Sequence, residues 1–453
     1  MTKGRVATLA LLIFTSSVAM LWGFLLEKAA KGRMADFKLA YYDTQCLLNH
    51  CDPYSESEVW RVYTAEGGQV PTDALQRGQV IQKMPLQVYS PTAFPFFAPF
   101  AMLSWGPAHL FWMVLTAGSL TLAGFLMWVT AAKFAPDVAF YLICFLLVNS
   151  GVAFAGGNPA GLVVSLCAIA AWCFIQERAV FFGVTCLAIS LAIKPHDSGF
   201  VWLYFLLVGG VHRKRALQTL VVVAALTIPA FLWVTHIAPN WLYELQTNLS
   251  ITSAPGGNGD PGPAGGLGVS PGMIIDLQTI FSLIRDDPHF YNPITYLICG
   301  PLFIVWIVVT LRSRFSLTNA WIALAAISAL SMLPLYHRPH DAKLLVLTIP
   351  ACAMLVAEGG GIGRIALFLN TAAVLFISDI PLAVLGLFTN RLHLTTEGLI
   401  GKAEAILLAR PIPLVLLALT VFYLWVYIRR GARAISCVSS RPCLVTSEPA
   451  GSV

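Results

Sequence analysis

Residues 6–26 of the chain, VATLALLIFTSSVAMLWGFLL, decide its fold class. The stretch has no charged side chain, and it is long enough to cross a bilayer as a helix, which takes about 20 apolar residues. A secretory signal peptide has a shorter apolar core, of about 7–15 residues, followed by a small-residue cleavage site. Glu27 and Lys28 follow this stretch directly. We therefore predict an uncleaved first membrane helix.

The composition of the whole chain supports a membrane protein. Hydrophobic residues make up 57% of the 453 positions and charged residues only 11%, whereas a soluble domain carries about 25% charged residues. The apolar residues form blocks of near-membrane length, which predicts an all-α polytopic membrane protein with about twelve transmembrane helices. The predicted spans are 6–26, 108–131, 137–155, 158–176, 179–194, 197–210, 216–236, 293–311, 319–335, 341–357, 364–388 and 411–429.

These spans define one membrane domain over residues 1–430. Two long polar segments, 27–92 and 237–292, are predicted extracytoplasmic loops, and residues 431–453 a disordered cytoplasmic tail. The apolar stretch Ala93–Trp105 is short and contains two prolines. We interpret it as re-entrant or interfacial, because a full span there would reverse the orientation of everything that follows.

The net charge of +6 does not form a nucleic-acid-binding face. Its basic residues lie in short loops, as the positive-inside rule describes, and this predicts a multi-pass protein of the cell (inner) membrane with both termini cytoplasmic. These residues are Lys133, Arg178, Arg213, Lys214, Arg215, Arg312, Arg314, Arg364, Arg429 and Arg430. Membrane lipids are the expected surroundings, and nucleic acid is not an expected partner.

Polar and ionisable residues gather on the opposite, extracytoplasmic side. Such groups at helix ends are costly in lipid and mark functional sites. They are Asp36, Tyr41, Tyr42 and Asp43 in the first loop, Gly157-Asn158, Lys194-Pro195-His196-Asp197, and the turn Tyr336-His337-Arg338-Pro339-His340-Asp341.

Each group also has a simpler interpretation. Asp36 is a candidate general base, or else a helix cap or the partner of Lys38. Lys194 and His196 are candidate phosphate ligands, or else an interhelical turn with a lysine that reaches to the membrane surface. The turn 336–341 suits an anionic group, or its charges meet lipid headgroups.

A metal site is not expected. His337, His340 and Asp341 include metal-ligand types, but their spacing matches no zinc signature and Pro339 interrupts it. Motifs of soluble nucleotide-binding enzymes and serine hydrolases are absent from the sequence. Cys46 and Cys51 share the first loop and could form a disulfide if that side is oxidising.

The order of these polar groups resembles glycosyltransferase family 87, whose members are similar to polyprenyl-phosphate-mannose-dependent α-1,2-mannosyltransferases with a C-type (GT-C) membrane fold. The matching stretches are Asp36-Phe37, Tyr41-Tyr42, Asp52-Pro53-Tyr54, Tyr89-Ser90-Pro91, Phe94-Pro95, Gly157-Asn158, Lys194-Pro195 and the turn Tyr336–Asp341. Each stretch is short, so the resemblance depends on their order and shared side.

The resemblance implies an inverting transfer of a hexose from a polyprenyl-phosphate donor to a glycolipid or glycan hydroxyl outside the cytoplasm, with mannose as the favoured sugar. Asp36 would be the general base, and no cofactor is implied beyond the lipid-linked donor. The donor phosphate would meet Lys194, His196, His337, Arg338 and His340. The cavity or acceptor site would include Tyr41, Tyr42, Asp43, Asn158 and Asp341. Pro159 after Asn158, and Arg338-Pro339 within the histidine turn, depart from the family pattern.

Two other functions remain open at this stage. A transporter or flippase for a lipid-linked or anionic solute would also have many spans and intramembrane charges, but it would show inverted repeats and broken helices near the midplane. A non-catalytic assembly scaffold would leave the clustering of polar residues unexplained.

Overall fold

The computed structural model describes residues 3–29, 34–68, 86–263, 274–392 and 398–439. Over these ranges the chain is helical and contains no β-strand. The helices of the first half are α1 Lys3–Ala29, α2 Ala35–Leu48, α3 Glu56–Ala65, α4 Phe94–Ala101, α5 Trp105–Ala131, α6 Pro136–Val148, α7 Gly151–Gly156, α8 Ala160–Ile175, α9 Val180–Ile193 and α10 Pro195–Val208.

In the second half of the chain, the described residues form ten further α-helices. The helices are α11 Gly210–Ile237, α12 Trp241–Ser253, α13 Gln278–Ile284, α14 Pro288–Arg312, α15 Leu317–Ser331, α16 Thr348–Glu358, α17 Gly360–Phe376, α18 Asp379–Leu392, α19 Gly398–Glu404 and α20 Ile412–Ser439. A 3-10 helix over Asp341–Leu347 precedes α16, and another over Pro91–Ala93 precedes α4.

Every predicted span overlaps a helix or two consecutive helices, but the number twelve is not confirmed. Six helical segments of the described chain are long and apolar enough to cross a membrane, or seven if the bent pair α17–α18 counts as one span. The six are Val6–Lys28, Trp105–Ala131, Pro136–Gly156, Gly210–Ile237, Pro288–Arg312 and Ile412–Arg430. Several predicted spans are helices of 14 to 16 residues, about 21–24 Å long against a hydrocarbon thickness of about 30 Å.

The shorter helices form the interior of the bundle. Nearly all residues of α8 and α15 are buried; α8 packs against α5 and α9, and α15 packs against α16 and α20. A helix that is apolar on all sides can be buried either in the protein interior or in lipid, and the sequence pattern is the same in both cases. Length and composition alone therefore do not confirm all twelve predicted spans.

Two helices are broken inside the bundle, and one lysine joins the breaks. The Lys343 ammonium donates to the carbonyls of Asn149, 2.8 Å away, and Ile377, 3.1 Å away. Asn149 lies between α6 and α7, and Ile377 between α17 and α18. The Asp379 carboxylate accepts from the Val152 amide at 2.7 Å. These contacts satisfy backbone groups that lipid could not satisfy.

The stretch Ala93–Trp105 is too short to span. Its helix α4 has eight residues, about 12 Å of helix, and it packs against α2. The Tyr41 hydroxyl donates to the Leu103 carbonyl at 2.7 Å, so this stretch supports the helix that carries Asp36.

The described residues include part of the first predicted loop and the start of the predicted tail. Cys46 and Cys51 are disulfide-bonded and close the end of α2 onto the turn that follows it. At the carboxyl end, α20 continues as a helix to Ser439, beyond the predicted start of the tail at 431. Residues 440–453 of that predicted tail, and residues 69–85 and 264–273 of the two predicted loops, lie outside the described ranges.

Candidate active site

Asp36 lies in the first turn of α2. Met34, two residues before Asp36, adopts a left-handed conformation with φ of 45°. Its amide donates to the Ala155 carbonyl at 3.0 Å. This contact fixes the start of α2 beside the end of α7. The Asp36 side chain is half-buried, and its position in the first turn lets the helix dipole stabilise the carboxylate.

Asn158 contacts this carboxylate directly. Its side-chain amide donates to Asp36 Oδ2 at 2.7 Å, although the two residues are 122 positions apart. The structure therefore brings together the predicted base and one of the predicted cavity residues.

Lys194 joins α9 and α10 to the turn Tyr336–Asp341. It occupies the break between α9 and α10, where Pro195 begins the next helix because proline fits the first helical position. The ammonium donates to Asp341 Oδ1 at 2.6 Å and lies 3.4 Å from Asp197 Oδ2. Burial would lower the pKa of Lys194, but Asp197 and Asp341 outweigh burial and raise it, so the lysine stays charged.

Asp341 shapes the turn as well as binding Lys194. Its Oδ2 accepts the Arg338 amide at 2.6 Å, while Oδ1 accepts from the lysine. One buried carboxylate thus holds both the turn and the cation in place, which is the role of a positioning residue.

His337 is buried within the same cluster, with 1% of its surface exposed. Its Nδ1 contacts the Leu335 carbonyl at 2.9 Å, and its Nε2 lies 3.3 Å from Asp197 Oδ1. A carbonyl can only accept, so Nδ1 carries a hydrogen. Burial would lower the pKa of His337, but the contact with Asp197 raises it overall. Both ring nitrogens therefore face protein groups rather than a substrate.

The other two histidines are more open. The side chain of His196 is 36% exposed and that of His340 12% exposed. Burial lowers the pKa of each imidazole to about 4, so both are neutral near pH 7 and suit hydrogen bonding more than charge pairing.

Arg338 has neutral partners in the described chain. Its guanidinium donates to the Asn258 carbonyl at 2.9 Å and to the Tyr336 hydroxyl. Burial would lower the pKa of Arg338, but Tyr336 and Asp36 raise it. The charge of Asp36 is thus one of the influences that raise this pKa.

The three predicted acceptor residues of α2 are buried in its packing surface. Tyr41 and Tyr42 form an aromatic cluster with Trp105, and the Tyr42 ring also meets Tyr63 edge-on. Asp43 is 1% exposed, and neither of its carboxyl oxygens has a hydrogen-bond partner among the described residues. Burial raises the pKa of Asp43 well above its usual range, and the residue lies about 10 Å along the helix from Asp36.

Two residues were missed as site members by the sequence-based prediction. Asp197 is the carboxylate between Lys194 and His337, and it stood in the quoted Lys-Pro-His-Asp segment. Tyr89 is the second: burial raises the pKa of its hydroxyl, and the charges of Lys194 and Asp36 also act on it. The family resemblance already contained Tyr89-Ser90-Pro91, which was the available signal.

Two groups of potential metal ligands lie in the described ranges. The ligand atoms of His196, Asp197 and His337 lie within 4.8 Å of one another, but Lys194 already neutralises this carboxylate. A second group contains Cys46, Cys51 and Glu58, and its cysteines are joined in the disulfide.

The fold and this cluster define a class of protein: a polytopic helical membrane protein with a buried ionic site at its helix ends. Residues 88–269 match the family model of Glycosyltransferase family 87. Over that segment the match supports the predicted resemblance to glycosyltransferase family 87, a family of membrane glycosyltransferases. Neither a curated protein nor a solved structure matches the chain.

The matched segment contains part of the site. Tyr89, Asn158, Lys194, His196 and Asp197 lie within residues 88–269. Asp36 and the turn 336–341 lie outside that segment, and the tertiary contacts join them to it.

Proposed function

We propose that the protein transfers a hexose, with mannose as the favoured candidate, from a polyprenyl-phosphate donor to a hydroxyl of a glycolipid or glycan. The transfer inverts the configuration at the anomeric carbon, and Asp36 is the general base. The observation that carries this proposal is that Asp36 and the turn Tyr336–Asp341, remote in the chain, are both joined to the matched segment, Asp36 through Asn158 and the turn through the Lys194–Asp341 ion pair. A base and a phosphate-binding group in one site are the two elements that such a transfer needs.

The proposed chemistry uses these groups in separate roles. Asp36 takes the proton of the acceptor hydroxyl as the acceptor oxygen bonds to the anomeric carbon, and the bond from that carbon to the phosphate oxygen breaks. The electron pair leaves with the phosphate, which is already an anion and is stabilised by positive charge rather than by protonation. No cofactor beyond the lipid-linked donor enters this proposal.

Arg338 is the strongest candidate for the phosphate. Its present partners are a carbonyl and a hydroxyl, which a phosphate oxygen can replace with a charge-assisted bond. Lys194 shares its charge with two carboxylates, yet an ammonium has three N–H donors. His196 and His340 would add neutral donors at the exposed side.

The extracytoplasmic location of the site is supported by two features. The basic residues of the short loops favour the opposite side as cytoplasmic. The disulfide Cys46–Cys51 lies in the segment that follows Asp36, and disulfides persist in oxidising compartments.

The first test is sugar transfer in membranes that contain the wild type or Asp36→Asn. With labelled polyprenyl-phosphate-mannose and extracted lipid and glycan acceptors, we expect transfer by the wild type and a loss of at least about 100-fold in the variant, as for removal of a general base. Asp137→Asn is the matched control, because Asp137 is also in the first turn of a helix but is exposed. Absence of wild-type transfer from several polyprenyl-phosphate sugars, or full activity of Asp36→Asn, would contradict the proposal.

A transporter or flippase is the second candidate, and the two helix breaks joined by Lys343 favour it. Broken helices form the binding sites of many secondary transporters. Here, however, Lys343 and Asp379 already bind the backbone groups at the breaks. Uptake or lipid translocation by purified protein in liposomes, without sugar transfer, would support this function instead.

A further inference from the structure

Asn158 lies in a tightly held turn between α7 and α8. Gly157 before it has φ of 64°, in the left-handed region, and its carbonyl accepts the Trp112 indole N–H at 3.0 Å. The turn Gly156-Gly157-Asn158-Pro159 carried only a weak signal in the sequence, because these residue types are common in turns.

The backbone of α8 determines which way the Asn158 amide points. The Ala160 amide donates to Asn158 Oδ1 at 2.9 Å, and only the oxygen of a side-chain amide can accept that bond. The nitrogen therefore points to Asp36, with Nδ2 2.7 Å from Oδ2. Asn158 thus links the start of α8 to the first turn of α2.

We propose that Asn158 is a positioning residue for the base, and that it selects the oxygen of Asp36 that reacts. Oδ2 is occupied by the amide of Asn158, which leaves Oδ1 to receive the proton of the acceptor hydroxyl. This inference rests on the proposed function. It assigns Asn158 to the base, where the sequence had placed it only among the residues that line the cavity or acceptor site.

The physical effect of the contact is to hold an ionised carboxylate in one orientation. A base must be held at hydrogen-bond distance from the proton that it removes. Misplacement of a reacting group by about 1 Å can lower the rate by about 100-fold. The other groups whose charges interact with Asp36 are Arg338, Tyr336, His340 and Tyr89.

A purely structural role would use only one end of the same side chain. Asn158 Oδ1 accepts from the Ala160 amide at the start of α8, and loss of such a cap destabilises a helix. The decisive variant must therefore keep the cap and remove only the donor to Asp36. Asn158→Asp still accepts from Ala160 and has no donor for Asp36 when it is ionised, but it also adds a charge beside the base. Asn158→Ser removes the donor without adding that charge.

We expect Asn158→Asp to fold like the wild type and to lose about 100-fold in kcat with little change in KM for the donor. Two facing carboxylates disfavour simultaneous ionisation, so the rising limb of the rate–pH profile should move to higher pH. Asn158→Ser provides a second measurement: it keeps an acceptor for the helix, and its shorter side chain withdraws the donor without adding charge. We expect it to lower kcat without moving the pH profile. Asn240→Asp is the matched control, since Asn240 precedes α12 and is exposed.

The experiment distinguishes failure of this inference from failure of the proposed function. If the wild type transfers sugar and Asn158→Asp has the same kcat and the same pH profile as the wild type, Asn158 is only a helix cap and the inference is overturned. If Asn158→Asp does not fold but folded Asn158→Ser retains the wild-type rate, the inference is equally overturned. Absence of transfer by the wild type would instead refute the function on which the inference depends.

Discussion

At the scale of single residues, the predicted phosphate ligands have different environments. Lys194 is bound by two carboxylates and His337 contacts protein at both ring nitrogens. Arg338 has only a hydroxyl and a carbonyl as hydrogen-bond partners for its guanidinium in the described chain. The first two therefore organise the site, and Arg338 is the cation that a phosphate reaches at the lowest cost, because no ion pair must first be broken.

The His337–Asp197 pair predicts a pH dependence of stability. The pKa of His337 lies above its usual value of 6.5 because the contact with Asp197 outweighs burial. A raised pKa in the folded state stabilises the fold below the unfolded value and loses that effect as pH rises through the folded value. Burial also raises the pKa of Asp276 to about 7, which acts in the same direction. We expect the Tm in detergent to fall as the pH rises above about 6.5, the usual pKa of histidine.

The measurement is a set of thermal unfolding curves for the wild type and His337→Gln across that range. The variant should show a shallower decrease of Tm with pH, because one of the two titrating groups is gone. His289→Gln is the control, as His289 is exposed. Equal slopes for the wild type and His337→Gln would show that this pair is not responsible.

At the scale of secondary-structure elements, α2 is held at both ends. Its first turn is fixed by Met34 and Asn158, and its last turn carries Cys46 in the disulfide with Cys51. Between them, Tyr41 binds the stretch after α4. The helix that presents Asp36 is thus restrained along its whole length.

Loss of the disulfide should destabilise this element. The bond closes a loop with a sequence separation of five, and loop-closure entropy for a loop of that size corresponds to about 2 kcal/mol. We expect the double variant Cys46→Ser/Cys51→Ser to have a lower Tm and faster proteolysis between α2 and α3. Cys352→Ser, at a buried free cysteine elsewhere in the bundle, controls for a general effect of replacing a buried cysteine. An unchanged Tm in the double variant would show that the packing of α2 alone maintains the turn.

At the scale of the whole molecule, the orientation in the membrane decides where the reaction occurs. The proposed topology puts the first loop outside and the connection between α5 and α6 in the cytoplasm. Ser57 in α3 and Asp137 at the start of α6 are both exposed, so a cysteine at either position can report its side.

Labelling of intact cells with a membrane-impermeant maleimide tests this orientation. We expect Ser57→Cys to react in intact cells and Asp137→Cys to react only after permeabilisation, because the positive-inside rule assigns the connection near Lys133 to the cytoplasm. The wild type provides the background. The reverse pattern would place the Asp36 site on the cytoplasmic side and contradict the proposed use of a donor outside the cytoplasm.

The sequence predicted the site in part because its strongest signals are local. Lys194-Pro195-His196-Asp197 and Tyr336–Asp341 each break an apolar region, so burial cost alone marks them as unusual. The contact between Asn158 and Asp36 had no such signal, since it joins two turns 122 positions apart. The role of Lys343 was also hidden, because its partners are carbonyls of two helix breaks.

The sequence by itself determined that this is a helical membrane protein, because a chain with 57% hydrophobic residues and 11% charged residues cannot cover a soluble surface. It also determined where the helices lie, because apolar blocks end at charged and turn residues. Only the tertiary structure decided which apolar helices are packed on nearly all sides by other helices, since lipid and protein interior favour the same side chains. It likewise decided which charges are paired, because ion pairs such as Lys194–Asp341 depend on distances between segments that are remote in the chain.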